Sequence, residues 1–308
     1  MKQKYHIWQH NNIQKKLKNT KAKSIIVYAA EEAEISDEFD PAIITDKTVT
    51  YIFGGADIQQ YKKYTDVAKV KLWKDYFLYY AAAGIDTRNT RPEPVDKLFI
   101  SLNNRGHRHR CILQDLLCKY ELLDLGVYSW RNIETDDYNF KYWEPKVRLL
   151  DQRKQRTFQQ HLLPRELNTC LINLVPESTT DKVFITEKTF HPILVGKPFL
   201  TYGAPGTYNA IQELGFKLHD NIFDYSFDNI QDDTERAEAI VQELAKIKDK
   251  DYQLVELKLR DVAKFNKEHA IKLIKNQDNV PNLARKFKYY TKVIKEAECK
   301  LDLLASEN

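Results

Sequence analysis

Residues 171–216 constrain the fold more than any other part of the sequence, because apolar runs and polar loops alternate there in one regular order. The apolar run Leu171–Val175 predicts a buried strand. A polar loop and a helix start follow it, and Glu187 supplies the carboxylate that is favoured in a first turn. A second apolar run at 198–202 leads into Gly203–Gly206 and another helix. This repeated order of strand, loop and helix predicts a parallel α/β domain.

The loops that follow these two strands form the predicted binding region. Ligands of open parallel sheets bind at the carboxyl ends of the strands, and the free N–H groups of a helix start favour anions. Thr186 is placed to cap the helix that begins at Glu187. The predicted binding residues are Thr186, Glu187, Lys188, Gly203 and Gly206.

Two short motifs in this region resemble those of known sugar transferases. V-P-E-S at 175–178, followed by F-I-T-E-K at 184–188, resembles the donor-binding segment of the α-1,3-fucosyltransferases, in which E-N-S is followed by Y-V-T-E-K. The segment is also similar to exostosin-like, viral and bacterial glycosyltransferases that carry T-E-K-x-x-x-P-I-x-x-G-x-P-F. The resemblance covers about 45 residues and implies a nucleotide-sugar donor site.

The resemblance also implies roles for single residues. Glu187 would hydrogen-bond the ribose and Lys188 would neutralise the diphosphate of a UDP- or GDP-sugar, and Glu177 and Ser178 belong to the same donor-binding segment. The alternative is a solvated Glu-Lys pair on a helix, with glycines that only form a turn.

A second predicted phosphate site follows the apolar strand Lys97–Leu102, where N-N-R-G-H-R-H-R leads into a helix. A basic loop at a helix start offers both N–H groups and guanidinium groups to phosphate. The fucosyltransferases have a similar strand, after which an arginine binds the donor diphosphate. Arg110 fits that interval best, with Arg105 and Arg108 as competitors. The alternating cations argue against a metal site at the neighbouring histidines.

Composition limits the setting. No apolar run approaches the roughly 20 residues that span a bilayer, and the N-terminus lacks the apolar region of a signal peptide. The four cysteines are dispersed, which favours a reducing compartment. We therefore expect a cytoplasmic protein, located in the host cytoplasm if it is viral. Asp249 and Asp251 form the only D-x-D and lie among helical segments, which favours metal-independent chemistry without a cofactor.

The predicted fold class is α/β and GT-B-like, with two Rossmann-like domains that face a cleft and with C-terminal helices. The proline-rich Thr90–Pro94 predicts the boundary between an acceptor-side domain, 1–94, and a donor-binding domain, 95–279. Residues 280–308 would form a C-terminal helix that can pack back across the cleft. In the first domain we expect strands at Ser24–Ala30 and Thr48–Phe53 and a helix at Asp66–Ala83.

The resemblance implies an inverting transfer of a sugar to an acceptor hydroxyl, which needs a general base. Asp57, Glu31 and Glu32 follow N-terminal strands and are the candidate bases. A glycan is the favoured acceptor. A hydroxymethylated base in viral DNA is the alternative, because residues 1–23 contain seven lysines and no acid. A non-catalytic protein that binds nucleotides or nucleic acid is the third hypothesis.

Overall fold

The computed structural model describes ten ranges of the chain, which are residues 2–6, 21, 23–29, 48–54, 69–86, 93–131, 135, 137–150, 161–286 and 288–306. The strands are β1 (Lys2–His6), β2 (Ser24–Ala29), β3 (Thr48–Phe53), β4 (Lys69–Leu72), β5 (Ile85–Asp86), β6 (Lys97–Asn103), β7 (Val127–Trp130), β8 (His161–Leu162), β9 (Cys170–Pro176) and β10 (Phe199–Tyr202). The α-helices are α1 (Tyr76–Gly84), α2 (Arg108–Lys119), α3 (Glu187–Leu194), α4 (Thr207–Glu213), α5 (Asp233–Ala245), α6 (Tyr252–Asn276) and α7 (Lys288–Ser306).

The N-terminal strands form a parallel sheet in the order β1-β2-β3-β4. The predicted strands at Ser24–Ala30 and Thr48–Phe53 are therefore confirmed to within one residue. The helix predicted over Asp66–Ala83 is wrong in its first half, because Lys69–Leu72 pairs with β3 and the helix begins only at Tyr76. An alternating Lys-Val-Lys-Leu run suits a strand at a sheet edge, and pairing with β3 overrides the helical spacing.

A second parallel sheet has the order β10-β9-β6-β7. Its strands β6, β9 and β10 coincide with the apolar runs that the sequence singled out. Every residue of β9 is buried, as expected for a strand that is covered on both faces. The predicted α/β class with a parallel sheet is thus confirmed, whereas the two-domain GT-B arrangement stays a prediction.

The connections of this sheet run in opposite directions from its middle. From β6 the chain passes through α2 to β7 on one side, and from β9 it passes through α3 to β10 on the other. Right-handed crossovers in opposite directions place α2 and α3 on opposite faces of the sheet. The neighbouring strands β6 and β9 therefore flank a topological switch point, where open α/β sheets bind their ligands.

The C-terminal helices pack on earlier elements. Helix α6 packs against α3, and α7 packs against α1. Lys300 donates a hydrogen bond from Nζ to the carbonyl of Ile85 at 3.0 Å, and Tyr79 donates one to the carbonyl of Leu273 at 3.0 Å. The last helix thus returns to residues that precede the predicted linker, while the domain division itself stays a prediction.

Residues 137–150, which had no clear period in the sequence, pack on the outer side of α2. The buried carboxylate of Asp115 accepts hydrogen bonds from the backbone N–H groups of Lys141, Tyr142 and Trp143. Trp143 in turn packs edge to face on Trp130 at the end of β7. One carboxylate on α2 therefore holds this irregular segment beside the basic loop.

Candidate functional site

Three loops meet at the carboxyl edge of the second sheet. They follow β6 at 104–107, β9 at 177–186 and β10 at 203–206, and their strands are adjacent and parallel. The loops after β6 and β9 lie at the switch point. The sequence-predicted residues of the donor site are thus brought to one edge of one sheet.

Glu177 organises the loop after β9. Its side chain is only 1% exposed, and its carboxylate accepts hydrogen bonds from the hydroxyl of Thr186 at 2.5 Å and from the hydroxyl of Thr189 at 2.6 Å. The backbone N–H groups of Thr186 and Ser178 also donate to it, at 2.9 and 3.2 Å. Thr186 does stand at the start of α3, but its hydroxyl binds Glu177 instead of capping the helix. Glu177 therefore faces inward and fixes the start of α3.

Lys188 is held over the same loop. Its Nζ donates to the hydroxyl of Ser178 at 2.8 Å and to that of Thr186 at 3.0 Å. The Nζ lies 3.5 Å from a carboxylate oxygen of Glu187 and 4.0 Å from one of Glu177. The side chain remains 29% exposed, so the ammonium group is fixed in direction and still reaches solvent.

Arg110 approaches the loop from α2. Its Nη2 donates to the backbone carbonyl of Glu177 at 3.2 Å, and the side chain is buried. Burial lowers the pKa of Arg110, while the Glu177 and Glu187 carboxylates raise it and the Arg105 guanidinium lowers it. Among the residues that the structure describes, no group accepts a hydrogen bond from its Nε. A buried cation with an unsatisfied donor favours an anionic or water partner beside it.

The neighbouring His109 makes a second link between α2 and β9. Its Nε2 lies 2.9 Å from the carbonyl of Glu177, which also accepts from Arg110. Burial lowers the pKa of His109 to about 4, and the hydrogen bond to the Glu177 carbonyl offsets part of this effect. The imidazole is therefore neutral at pH 7 and donates through Nε2.

This depressed pKa makes stability depend on pH. The folded pKa of about 4 lies below the ordinary value of 6.5, so the unfolded chain takes up the proton first as the pH falls. The stabilisation from neutral His109 is intact above pH 6.5 and is lost between that pH and about 4. We expect wild type to lose about 2 kcal/mol more unfolding free energy than His109→Gln between pH 7 and pH 5.

Urea unfolding at the two pH values measures this difference. Gln212→Asn is the control, because Gln212 is an exposed residue of α4 whose side chain does not titrate. It should follow the wild-type pH profile. If the unfolding free energy of His109→Gln fell with pH in parallel with that of wild type, His109 would not be a buried neutral imidazole in the folded protein.

The loop after β10 is held by Asp228 and Arg236, to which the sequence analysis gave no role. Gly206 has φ of 84° and precedes α4, and Asp228 caps that helix by accepting from the N–H groups of Tyr208 and Asn209 at 3.1 and 3.3 Å. The buried Arg236 donates from Nε to the carbonyl of Gly203 at 2.9 Å. The polar D-Y-S-F-D stretch at 224–228 could have identified Asp228 as a loop residue with a role. No feature of the sequence around Arg236 predicts its contact with Gly203.

Asp233, at the start of α5, connects the loops after β9 and β10. Its carboxylate accepts from the hydroxyl of Thr180 at 2.7 Å and forms an ion pair with Arg236. Its backbone carbonyl accepts from the hydroxyl of Tyr202 at 2.9 Å. The two loops are thus braced against one helix terminus.

The other predicted site residues have different outcomes. Arg105 is exposed in the loop after β6, and Arg108 is exposed at the first position of α2, where its guanidinium lies 5.9 Å from the centre of the Tyr138 ring. The three candidate general bases, Glu31, Glu32 and Asp57, lie outside the residues that the structure describes. Within the described ranges, no group of three or more His, Cys, Asp or Glu residues is arranged to hold a metal ion. No helix in the part of the chain that is described is long and apolar enough to cross a membrane.

Fold and site together define an α/β protein that gathers fixed cations and acids at the switch point of a parallel sheet. Comparison of the chain with models of known protein families, with curated proteins and with solved structures finds no match.

Proposed function

We propose that this chain is a glycosyltransferase that moves a sugar from a nucleoside diphosphate to an acceptor hydroxyl, with a glycan as the acceptor. The observation that carries the proposal is the convergence of Arg110 and Lys188 on one segment. Arg110 binds the Glu177 carbonyl from α2, and Lys188 lies over the Glu177 carboxylate from α3. Two cations from opposite faces of a sheet suit a ligand with two linked phosphates.

The proposed chemistry assigns one task to each group. The acceptor oxygen attacks the anomeric carbon, the bond from that carbon to the phosphate oxygen breaks, and the electron pair leaves on the diphosphate. Lys188 and Arg110 stabilise the negative charge that develops there, because their positions are set before the reaction. Glu187, 3.5 Å from Lys188, is assigned to the ribose hydroxyls.

The acceptor hydroxyl loses its proton during the attack, and a general base must take it. Glu31, Glu32 and Asp57 remain the sequence candidates for this role. The proposal requires one of them to face the donor site.

Mass spectrometry tests the proposed activity. The full chain is incubated with UDP- and GDP-sugars, together with glycans or with duplex DNA that contains hydroxymethylated bases. We expect release of UDP or GDP and the mass of one sugar added to an acceptor. Sugar on the DNA alone would reassign the acceptor. Neither transfer nor hydrolysis with any sugar nucleotide would contradict the enzyme proposal and favour a non-catalytic binding protein.

A further inference from the structure

An open pocket lies beside Lys188 on the α3 face of the second sheet. It has about 420 Å³ of empty space, which includes part of its mouth. Its walls are Ile100 and Leu102 of β6, Val175 of β9 and Pro192 of α3, and Lys188 stands at one end. We call it the β6–α3 slot.

The strand register places three aliphatic side chains and one amide on the wall of the slot. Ile100 pairs with Asn173, so Leu102 lies opposite Val175 and all four side chains point to one face of the sheet. Leu102 is 41% exposed although β6 has a strand on each side and Leu98–Ser101 are buried. A large apolar side chain on an interior strand is thus left open to the slot.

The slot continues directly from the proposed phosphate position. Lys188 and Pro176 line it at the carboxyl edge of the sheet, where the diphosphate is assigned. On the opposite face of the sheet, buried polar side chains occupy the space at the start of α2, and among them His109 and Arg110 contact the carbonyl of Glu177. The apolar part of a ligand anchored at Lys188 therefore has space on the α3 face.

The chemistry of the walls selects among the parts of a nucleotide sugar. A hexose presents several hydroxyl groups, each of which loses free energy when it is buried without a partner. The slot offers mainly aliphatic walls, and its polar side chains are Asn173, Lys188 and His191. A nucleobase carries its polar groups on its edges, so its two faces can pack against aliphatic side chains while the edges meet polar side chains or solvent.

We propose that the β6–α3 slot binds the nucleobase of the donor, with its faces between Leu102 and Pro192 and an edge toward Asn173. This inference rests on the glycosyltransferase function proposed above and adds to it the residues that read the base. The Asn173 amide nitrogen already donates to the carbonyl of Pro198 at 3.3 Å, which holds the amide group of this lining residue in place.

Titration calorimetry with ligands that do or do not carry a base tests the inference. The probes are UDP and GDP, with ribose 5-phosphate and pyrophosphate as base-free ligands. Leu102→Trp fills the slot from an exposed position, so the fold should be retained. We expect at least about tenfold weaker binding of UDP or GDP, which is about 1.4 kcal/mol, and unchanged binding of both base-free ligands. Leu102→Ala, which only widens the slot, should weaken the nucleotide by a smaller factor.

Leu257→Trp is the matched control, because Leu257 is an exposed leucine on α6 that does not line the slot. It should bind all four probes as wild type does. Unchanged nucleotide binding in Leu102→Trp, or an equal loss for pyrophosphate, would overturn the slot assignment and leave the donor proposal standing. No binding of any probe by wild type would overturn both.

Discussion

Glu177→Ala is expected to lower the free energy of unfolding by about 3–5 kcal/mol. The buried carboxylate accepts from Thr186, Thr189 and Ser178, and its removal deprives the buried hydroxyl and N–H of Thr186 of this acceptor, while the Thr189 hydroxyl retains that of Thr201 at 3.2 Å. It also removes the acid below Lys188. Because this carboxylate fixes the start of α3, we expect the loss to be global and not confined to the loop.

Urea denaturation followed by circular dichroism measures this loss. Glu177→Gln keeps an acceptor oxygen and the side-chain volume, so its loss should be clearly smaller than that of the alanine variant. Glu213→Ala is the exposed control, since Glu213 makes surface contacts, a 3.6 Å ion pair with Lys74 and a 3.3 Å hydrogen bond from the Asn209 amide, and it should cost less than about 1 kcal/mol. A Glu177→Ala protein as stable as Glu213→Ala would refute the organising role of Glu177.

Lys188→Met is expected to weaken the binding of UDP and GDP about 10- to 100-fold. A charge-assisted hydrogen bond to phosphate contributes about 1.5–3 kcal/mol, and methionine keeps the apolar stem of the side chain while removing the ammonium group. The side chain is 29% exposed, so the substitution should leave the fold intact. Titration calorimetry at constant salt measures the change.

Lys292→Met provides the control for this variant. Lys292 lies on α7, and its Nζ is 3.5 Å from Glu296 on the exposed side of that helix. Its loss removes the same net charge without touching the switch point. Equal weakening in both variants would show that overall charge, and not Lys188, attracts the nucleotide.

Local patterns predicted β6, β9 and β10 of the second sheet because each signal is complete within a short window, whereas β7 lies in a stretch of sequence without a clear pattern. Apolar runs mark β6, β9 and β10, and the polar-to-apolar change at Glu187 marks the start of α3. The same reasoning failed at Val70 and Trp73, whose spacing suits a helix. There the conformation depends on pairing with strand β3, and this strand lies outside the short stretch of sequence from which the helix was predicted.

The site was predictable only where one short segment carries it. Glu187 and Lys188 follow from their place at a helix start after a strand. The inward direction of Glu177 depends on Thr189, 12 residues further along the chain, and the Gly203 carbonyl accepts a hydrogen bond from Arg236, 33 residues away. Such contacts arise from packing between distant parts of the chain.

A structure of the full chain with bound UDP or GDP tests the central claim most directly. The account predicts a diphosphate at the carboxyl edge of the second sheet, with one phosphate oxygen within hydrogen-bonding distance of Lys188 Nζ and the Arg110 guanidinium close to the same ligand. A nucleotide bound at another edge of the sheet, or a diphosphate with neither cation beside it, would contradict the account.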